Sequence, residues 1–173
     1  DPGYDRDADL IESGKPIYFR RCVQHSSADL VLMTDVLEHV DDDLELLKSY
    51  VEMVPDGTRF LITVPAFQFL WSGHDVFLEH RRRYNLKQIE SVLSQSGLSI
   101  VKSSYYFAAI FPLACLLRFT KKLFKNDSLQ LKSDLRMHSR VVNYMLSKVC
   151  SLELPFVKWN KVGGLSIICL AEK

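Results

Sequence analysis

Apolar positions fall into short continuous runs and longer periodic ones, and the clearest alternation of the two runs from Ala28 to Pro65. Ala28 to Thr34 is a short apolar run bounded by polar residues, the pattern of a strand buried on both faces of a parallel sheet. Asp35 ends it. Beyond that, Val40, Leu44, Leu47, Val51 and Val54 recur at steps of four and three, which puts them on one helical face. Asp42 with Glu45 fits a capping box, and the acids at 41, 42 and 43 suit a helix N-terminus. Pro55-Asp56-Gly57 stops the helix, and Arg59 to Val64 is a second strand closed by Pro65. Two buried strands joined by a helical crossover predict a parallel α/β sheet. Ligands of such sheets sit beyond the carboxyl ends of the strands, here Thr34 to His39 and Pro65 to Phe67.

Around this unit the pattern is less regular. Leu10 to Gly14 reads as a short helical segment and Pro16 to Val23 as a strand. After Pro65, aromatics, Gly73 and charges mix without a period, as in a binding loop or an irregular connection. Asn85 and Gln88 cap a helix carrying Ile89, Val92 and Leu93, which Gly97 stops. Leu98 to Phe107 reads as a strand, and Ile110 to Phe124 as a helix with Pro112 near its start. Met137 to Leu152 is amphipathic, with Pro155 expected to close that region, and Leu165 to Ala171 is a final buried strand after Gly163-Gly164. The apolar run from Tyr105 to Phe119 is shorter than the ~20 residues that span a bilayer.

Composition narrows the function classes. A chain of 173 residues, 47% hydrophobic, can bury a sizeable core as one domain. With 22 basic and 21 acidic residues it lacks the basic excess of a general nucleic-acid binder. Cys22, Cys115, Cys150 and Cys169 have no CxxC spacing, so reduced, buried thiols in a cytoplasmic protein are expected. There is no leader-like segment, and the chain, which does not begin with Met, is expected to be a fragment.

The order of these segments resembles the later two-thirds of a class I S-adenosylmethionine-dependent methyltransferase, in the group with a D-x-L-E-H segment after its fourth strand. The matching residues are Ala28-Asp29-Leu30-Val31, Asp35-Val36-Leu37-Glu38-His39-Val40, Pro55-Asp56-Gly57 and Val64-Pro65. Gln95-Ser96-Gly97-Leu98 and Gly164-Leu165-Ser166-Ile167-Ile168 resemble the family's last helix-to-strand junction and last strand. The resemblance implies a Rossmann-like α/β fold: a mostly parallel sheet, helices on both faces, the last strand antiparallel beside Leu98 to Phe107, and residues 107–161 as a helical insertion or lid. It implies S-adenosylmethionine as cofactor, with Asp1 at the ribose hydroxyls, Arg21 and Cys22 near the adenine, and Thr34, Asp35 and Val36 near the methionine portion. The family's glycine-rich loop is absent from this sequence, so the chain is expected to bind the cofactor poorly alone.

Methyl transfer is an in-line displacement that needs alignment first and a base where the acceptor is a hydroxyl or amine. His39 lies just past a strand end, and His74 and His80 lie in the next loop, so these are the candidate catalytic residues. Asp75, adjacent to His74, and Arg83 and Tyr84 from the run His80-Arg81-Arg82-Arg83-Tyr84 are candidate substrate contacts, the arginines suiting phosphate or carboxylate. An ordinary reading of the same run pairs one arginine with Asp75 or Glu79 and leaves two solvated. Asp35, Glu38 and His39, at i, i+3 and i+4, share a face in a helical turn and with His74 or His80 offer oxygen and nitrogen ligands. The commoner role of such acids is at a helix N-terminus, and no metal is expected. The wider H-D-x-x-x-x-H-R-R-R-Y pattern resembles bacterial methyltransferases of surface polysaccharide and glycolipid assembly. The expected function is therefore methylation of an oxygen or nitrogen on a small-molecule or lipid- or sugar-linked acceptor. Residues 110–125 offer peripheral membrane contact through Lys121, Lys122 and Lys125, although core or lid packing is the commoner fate of such a helix. The rival expectation is a non-catalytic domain of the same fold that binds a partner or a membrane surface.

Overall fold

The computed structural model describes residues 7–20, 23–124 and 139–173, with backbone only over 121–124. A four-stranded sheet has the order β3 (Leu30–Thr34), β4 (Arg59–Pro65), β6 (Ser166–Glu172), β5 (Ser99–Tyr106). β3 and β4 pair in parallel from Leu30↔Arg59 to Thr34↔Thr63. β6 runs antiparallel to both β4 and β5, so β3, β4 and β5 point one way and the last strand is inserted against them, as the resemblance implies.

β4 alternates, with Phe60, Ile62 and Val64 fully buried. Against that face pack Leu47 and Val51 of α1 (Asp43–Met53), and Ile89 and Leu93 of α3 (Leu86–Gln95). Both helices start where the caps put them. Asp42 accepts from the Glu45 amide at 2.8 Å, and Asn85 and Gln88 form a reciprocal box. Gly97 takes φ +92° after α3 and lets the chain reverse into β5. β3 departs from expectation: only Met33 is buried, and Leu30 and Leu32 are 49% and 60% exposed, because they alternate onto the face opposite Val31 and Met33, which is left uncovered at this edge strand among the described residues.

Two other expectations are corrected. Leu10 to Gly14 is not helical: β1 (Ala8–Glu12) and β2 (Lys15–Phe19) form an antiparallel hairpin outside the main sheet. Its turn is Ser13-Gly14, both at positive φ, the geometry of a two-residue hairpin loop. The strand expected over Pro16 to Val23 is thus shorter and pairs with β1, not with the central unit. Nor does Pro155 close the last helix, for α5 (Arg140–Val157) continues through it. A proline near a helix end removes one donor only, and that turn is largely exposed.

The connection after β4 is more ordered than its composition implies. It holds a 3-10 turn, Gln68–Leu70, and a short helix α2 (Gly73–Phe77) with a Ser72–Asp75 capping box. Between β5 and β6 come α4 (Phe111–Phe124) and α5. α4 is fastened to the β4 loop by rings: Phe67 stacks on Tyr105 at 4.9 Å and lies 5.4 Å from Phe111, and Phe69 stacks on Phe119 at 6.3 Å. α5 is tied through Glu153, which accepts from the Ala108 and Ala109 amides. No described helix is long and apolar enough to cross a membrane. The described cysteines are free, but only Cys169 is buried, its thiol pushed up to about 12 by burial; Cys115 and Cys150 are half-buried.

Candidate active site

Beyond the carboxyl end of β3 the chain turns at Asp35, whose φ of +53° an aspartate tolerates better than most residues. Its amide donates to the Thr63 carbonyl at 3.0 Å, and the Thr63 hydroxyl donates to its carboxylate at 3.2 Å. The following 3-10 turn, Leu37–His39, precedes α1 and drives both Leu37 and Glu38 fully inside. Neither Glu38 carboxyl oxygen has a hydrogen-bond partner on another residue, and burial pushes this group up to about 8 against the lowering effect of its own amide and of Arg83. A carboxyl group left at that depth without a partner on another residue is unusual, which makes Glu38 a candidate functional group.

Residues 79–85 run beside the end of β4. Tyr84 exchanges backbone bonds with Pro65 and Phe67, and the Arg81 amide donates to the Glu38 carbonyl at 2.6 Å. This brings His80 against His39, their rings edge-on with centroids 4.7 Å apart.

Below them Asp75 is fully buried and acts as a hub. It accepts from Arg83 Nε at 2.6 Å and from the Ser72 amide at 2.8 Å, pairs with His80 Nδ1 at 3.1 Å, and lies 3.8 Å from Arg118 Nη1. Burial alone would raise the Asp75 carboxyl; the hydrogen bond and charge of Arg83, with the Ser72 and His80 bonds, outweigh it and hold the group below its ordinary range. An ionised carboxylate only accepts, so Nδ1 of His80 carries the proton and Nε2 of the neutral ring offers a lone pair. Burial lowers the His80 pKa more than Asp75 raises it, which keeps the ring neutral at physiological pH.

A pocket of about 330 Å³ opens over this arrangement, lined in part by Asp35, His39, His74, His80, Arg83 and Arg118. Five of the sequence candidates therefore meet at one crevice: Asp35, His39, His74, His80 and Arg83. Thr34 and Val36, on either side of Asp35 in the chain, are exposed and are not among the residues lining it. Asp75, expected as a substrate contact, is instead fully buried beneath it and orients His80. Tyr84 is buried, donating to the Asp43 carboxylate at 2.6 Å, which burial and that bond reinforce by raising its pKa. Of the arginines, Arg83 is paired inside, while Arg82 bonds the Val40 and Asp41 carbonyls. Asp1, Arg21 and Cys22 lie outside the described residues, as do the side chains of Lys121, Lys122 and Lys125. Sequence reasoning passed over Arg118, whose signal was a lone cation in the apolar run Ile110 to Phe119.

A crevice past the ends of parallel strands, walled by titratable side chains, is where an α/β fold of this kind characteristically places a ligand site. A family model described as a methyltransferase domain matches residues 2–103, well over half of the chain. The chain belongs to that family. No curated protein matches it. Among solved structures it is similar to an S-adenosylmethionine-dependent methyltransferase from Archaeoglobus fulgidus, with 17% identity, 87% of this chain and 62% of that one covered, and a TM-score of 0.46. It is also similar to Haemonchus contortus phosphoethanolamine N-methyltransferase 2 in complex with S-adenosyl-L-methionine, with 17% identity, 84% and 33% covered, and a TM-score of 0.42. A second complex of that enzyme, with phosphomonomethylethanolamine and S-adenosylhomocysteine, gives 18% identity, 87% and 35% covered, and a TM-score of 0.42. The chain spans less than two-thirds of the length of each.

Proposed function

We propose that this domain takes part in methyl transfer from S-adenosylmethionine to an oxygen or nitrogen of a small or lipid- or sugar-linked acceptor. The observation that carries the reading is the convergence of His39, His74 and His80 at the crevice beyond β3 and β4, in a chain of the methyltransferase family. In the reaction the bond from sulfur to the methyl carbon breaks and a bond from the acceptor oxygen or nitrogen to that carbon forms. The sulfonium becomes neutral S-adenosylhomocysteine, and the acceptor proton passes to an imidazole of this cluster. His80, neutral and held by Asp75, is oriented for such a role. Thr34, Asp35 and Val36 are the expected contacts of the cofactor's methionine portion. Arg83 and Arg118, set around the buried Asp75, line the crevice with guanidinium groups of the kind that recognise an acidic acceptor group.

α4 lends support to an acceptor with an apolar tail. Ala114 and Arg118 line the pocket, while Leu113, Leu116 and Leu117 on the same helix are more than half exposed. Such a helix can guide a lipid-linked acceptor toward the crevice or rest on a membrane surface.

Calorimetric titration of S-adenosylhomocysteine into the intact gene product and into this chain tests the reading. Saturable binding of about one equivalent by the intact product is expected, with loss of methyl transfer in His39→Ala. No binding by the intact product overturns the enzyme reading in favour of a non-catalytic binding domain.

A further inference from the structure

The geometry points to a divalent metal site formed by Glu38, His39 and His80, an inference that rests on the crevice being where the acceptor is methylated. One ligand atom from each of these residues lies within 4.8 Å of the others. Around an ion bound at ~2.0–2.2 Å, neighbouring ligands are roughly 3 to 3.5 Å apart, so a closure of up to about 1.3–1.8 Å, shared between side chains, completes the set. His39 is exposed on its turn and has room to make it.

Two further features point to a ligand rather than to chance crowding. The Glu38 carboxyl group is completely buried, yet neither oxygen has a hydrogen-bond partner on another residue. A structural acid at that depth would be paired, whereas one that serves an ion is left open toward it. The second feature is Asp75. It holds Nδ1 of His80 at 3.1 Å and so aims Nε2 away from itself, the outer-shell carboxylate arrangement that fixes metal-bound imidazoles. Asp35 lines the same pocket and adds negative charge, set against the positive charge of Arg83 and Arg118.

The chemistry of the donors selects the ion. Two imidazoles and one carboxylate suit zinc or a first-row divalent transition ion, not magnesium or calcium, which prefer oxygen ligands. Three protein ligands leave coordination positions open toward the pocket, where an acceptor oxygen or nitrogen can bind and become more acidic. With His39 and His80 engaged as ligands, His74 on the pocket wall is the imidazole placed to receive the proton.

Cobalt(II) titration of the metal-stripped chain, read by its visible ligand-field absorption, tests the site. One equivalent is expected to give saturable bands. Glu38→Gln and His39→Ala are each expected to weaken binding at least about tenfold. His25→Ala, in an exposed loop remote from the crevice, controls for adventitious binding and is expected to match the parent chain. Absence of saturable bands in the parent chain, or parent-like binding by both Glu38→Gln and His39→Ala, overturns the site. S-adenosylhomocysteine titration of the intact gene product separates the two readings. Product binding without cobalt bands discards the metal alone. Cobalt bands without product binding uphold the metal and discard the methyl-transfer reading.

Discussion

Asp75→Asn is expected to lower the free energy of unfolding by about 3–5 kcal/mol, the cost of breaking a buried ion pair by removing one partner. The amide keeps the shape of the carboxylate but not its charge. Arg83, almost as buried as Asp75 itself, then keeps a guanidinium with no anion at 2.6 Å. Ser72 loses its charged cap, and His80 loses the acceptor that fixes its tautomer. Against a total stability of about 5–15 kcal/mol the loss is large. Urea unfolding measures it as a lower midpoint at unchanged slope. Replacing Arg83 by Met in the same chain should recover much of the loss, since an apolar pair leaves no charge stranded. The sign with pH follows from the depressed Asp75 pKa. Its contribution is complete above the ordinary carboxylate value of 3.8 and is lost as pH falls through the lower folded value. The parent chain should therefore show an acid-sensitive limb that Asp75→Asn lacks. A substitution that costs less than about 1 kcal/mol would mean that water reaches this network in solution.

How far the fold could be read in advance depended on whether each signal was local. α1 and α3 were legible because their apolar residues keep helical period and their caps lie within three residues, so the prediction needs no tertiary knowledge. The hairpin was not. Ser13-Gly14 supplies positive φ, and a glycine after Leu10 to Glu12 serves a helix stop and a hairpin turn equally well. Pairing with Lys15–Phe19 decided between them. β3 reads as doubly buried from its apolar run, but only the face of Val31 and Met33 is covered, and which face another element covers is a tertiary fact that no residue in the run encodes.

The site divides along the same line. His39, His74 and His80 were legible as a group because strand ends in a parallel sheet gather the following loops. Asp75 reads as a substrate contact beside His74, or as the partner of one arginine of the following run; successive side chains on α2 diverge, and the residues at five and eight positions on, His80 and Arg83, return to it through the turn at Glu79. Glu38 reads as an acid at a helix N-terminus. The chain instead inserts a 3-10 turn before α1, and that rotation carries the side chain into the interior.

Gly164→Ala is expected to be as damaging as loss of the Asp75 charge, for a reason of space alone. A Cβ at this position would stand 2.2 Å from the Tyr106 carbonyl oxygen and 2.9 Å from its carbonyl carbon and amide nitrogen. All three are backbone atoms at the end of β5, where Tyr106 pairs with Ser166. Ordinary overpacking costs about 1–3 kcal/mol because side chains can turn aside. Here nothing can turn. The neighbouring backbone is tied at the same point: the Tyr105 amide donates to the Asn160 carbonyl at 2.9 Å, and the Asn160 side-chain amide donates to the Tyr105 and Gly163 carbonyls. Relief must come from parting β5 and β6 at this end, so a loss of about 3 kcal/mol or more is expected by urea unfolding, with faster amide exchange at Tyr106 and Ser166. Leu165 and Ser166 line the crevice, so the same shift should weaken S-adenosylhomocysteine binding. Gly163→Ala is the control. Its Cβ would meet the Phe111 ring at 3.0 Å, a side chain able to rotate, and its cost should fall well below that of Gly164→Ala. Equal costs at the two positions would show that strain in the turn itself, not the approach to Tyr106, sets the requirement for glycine.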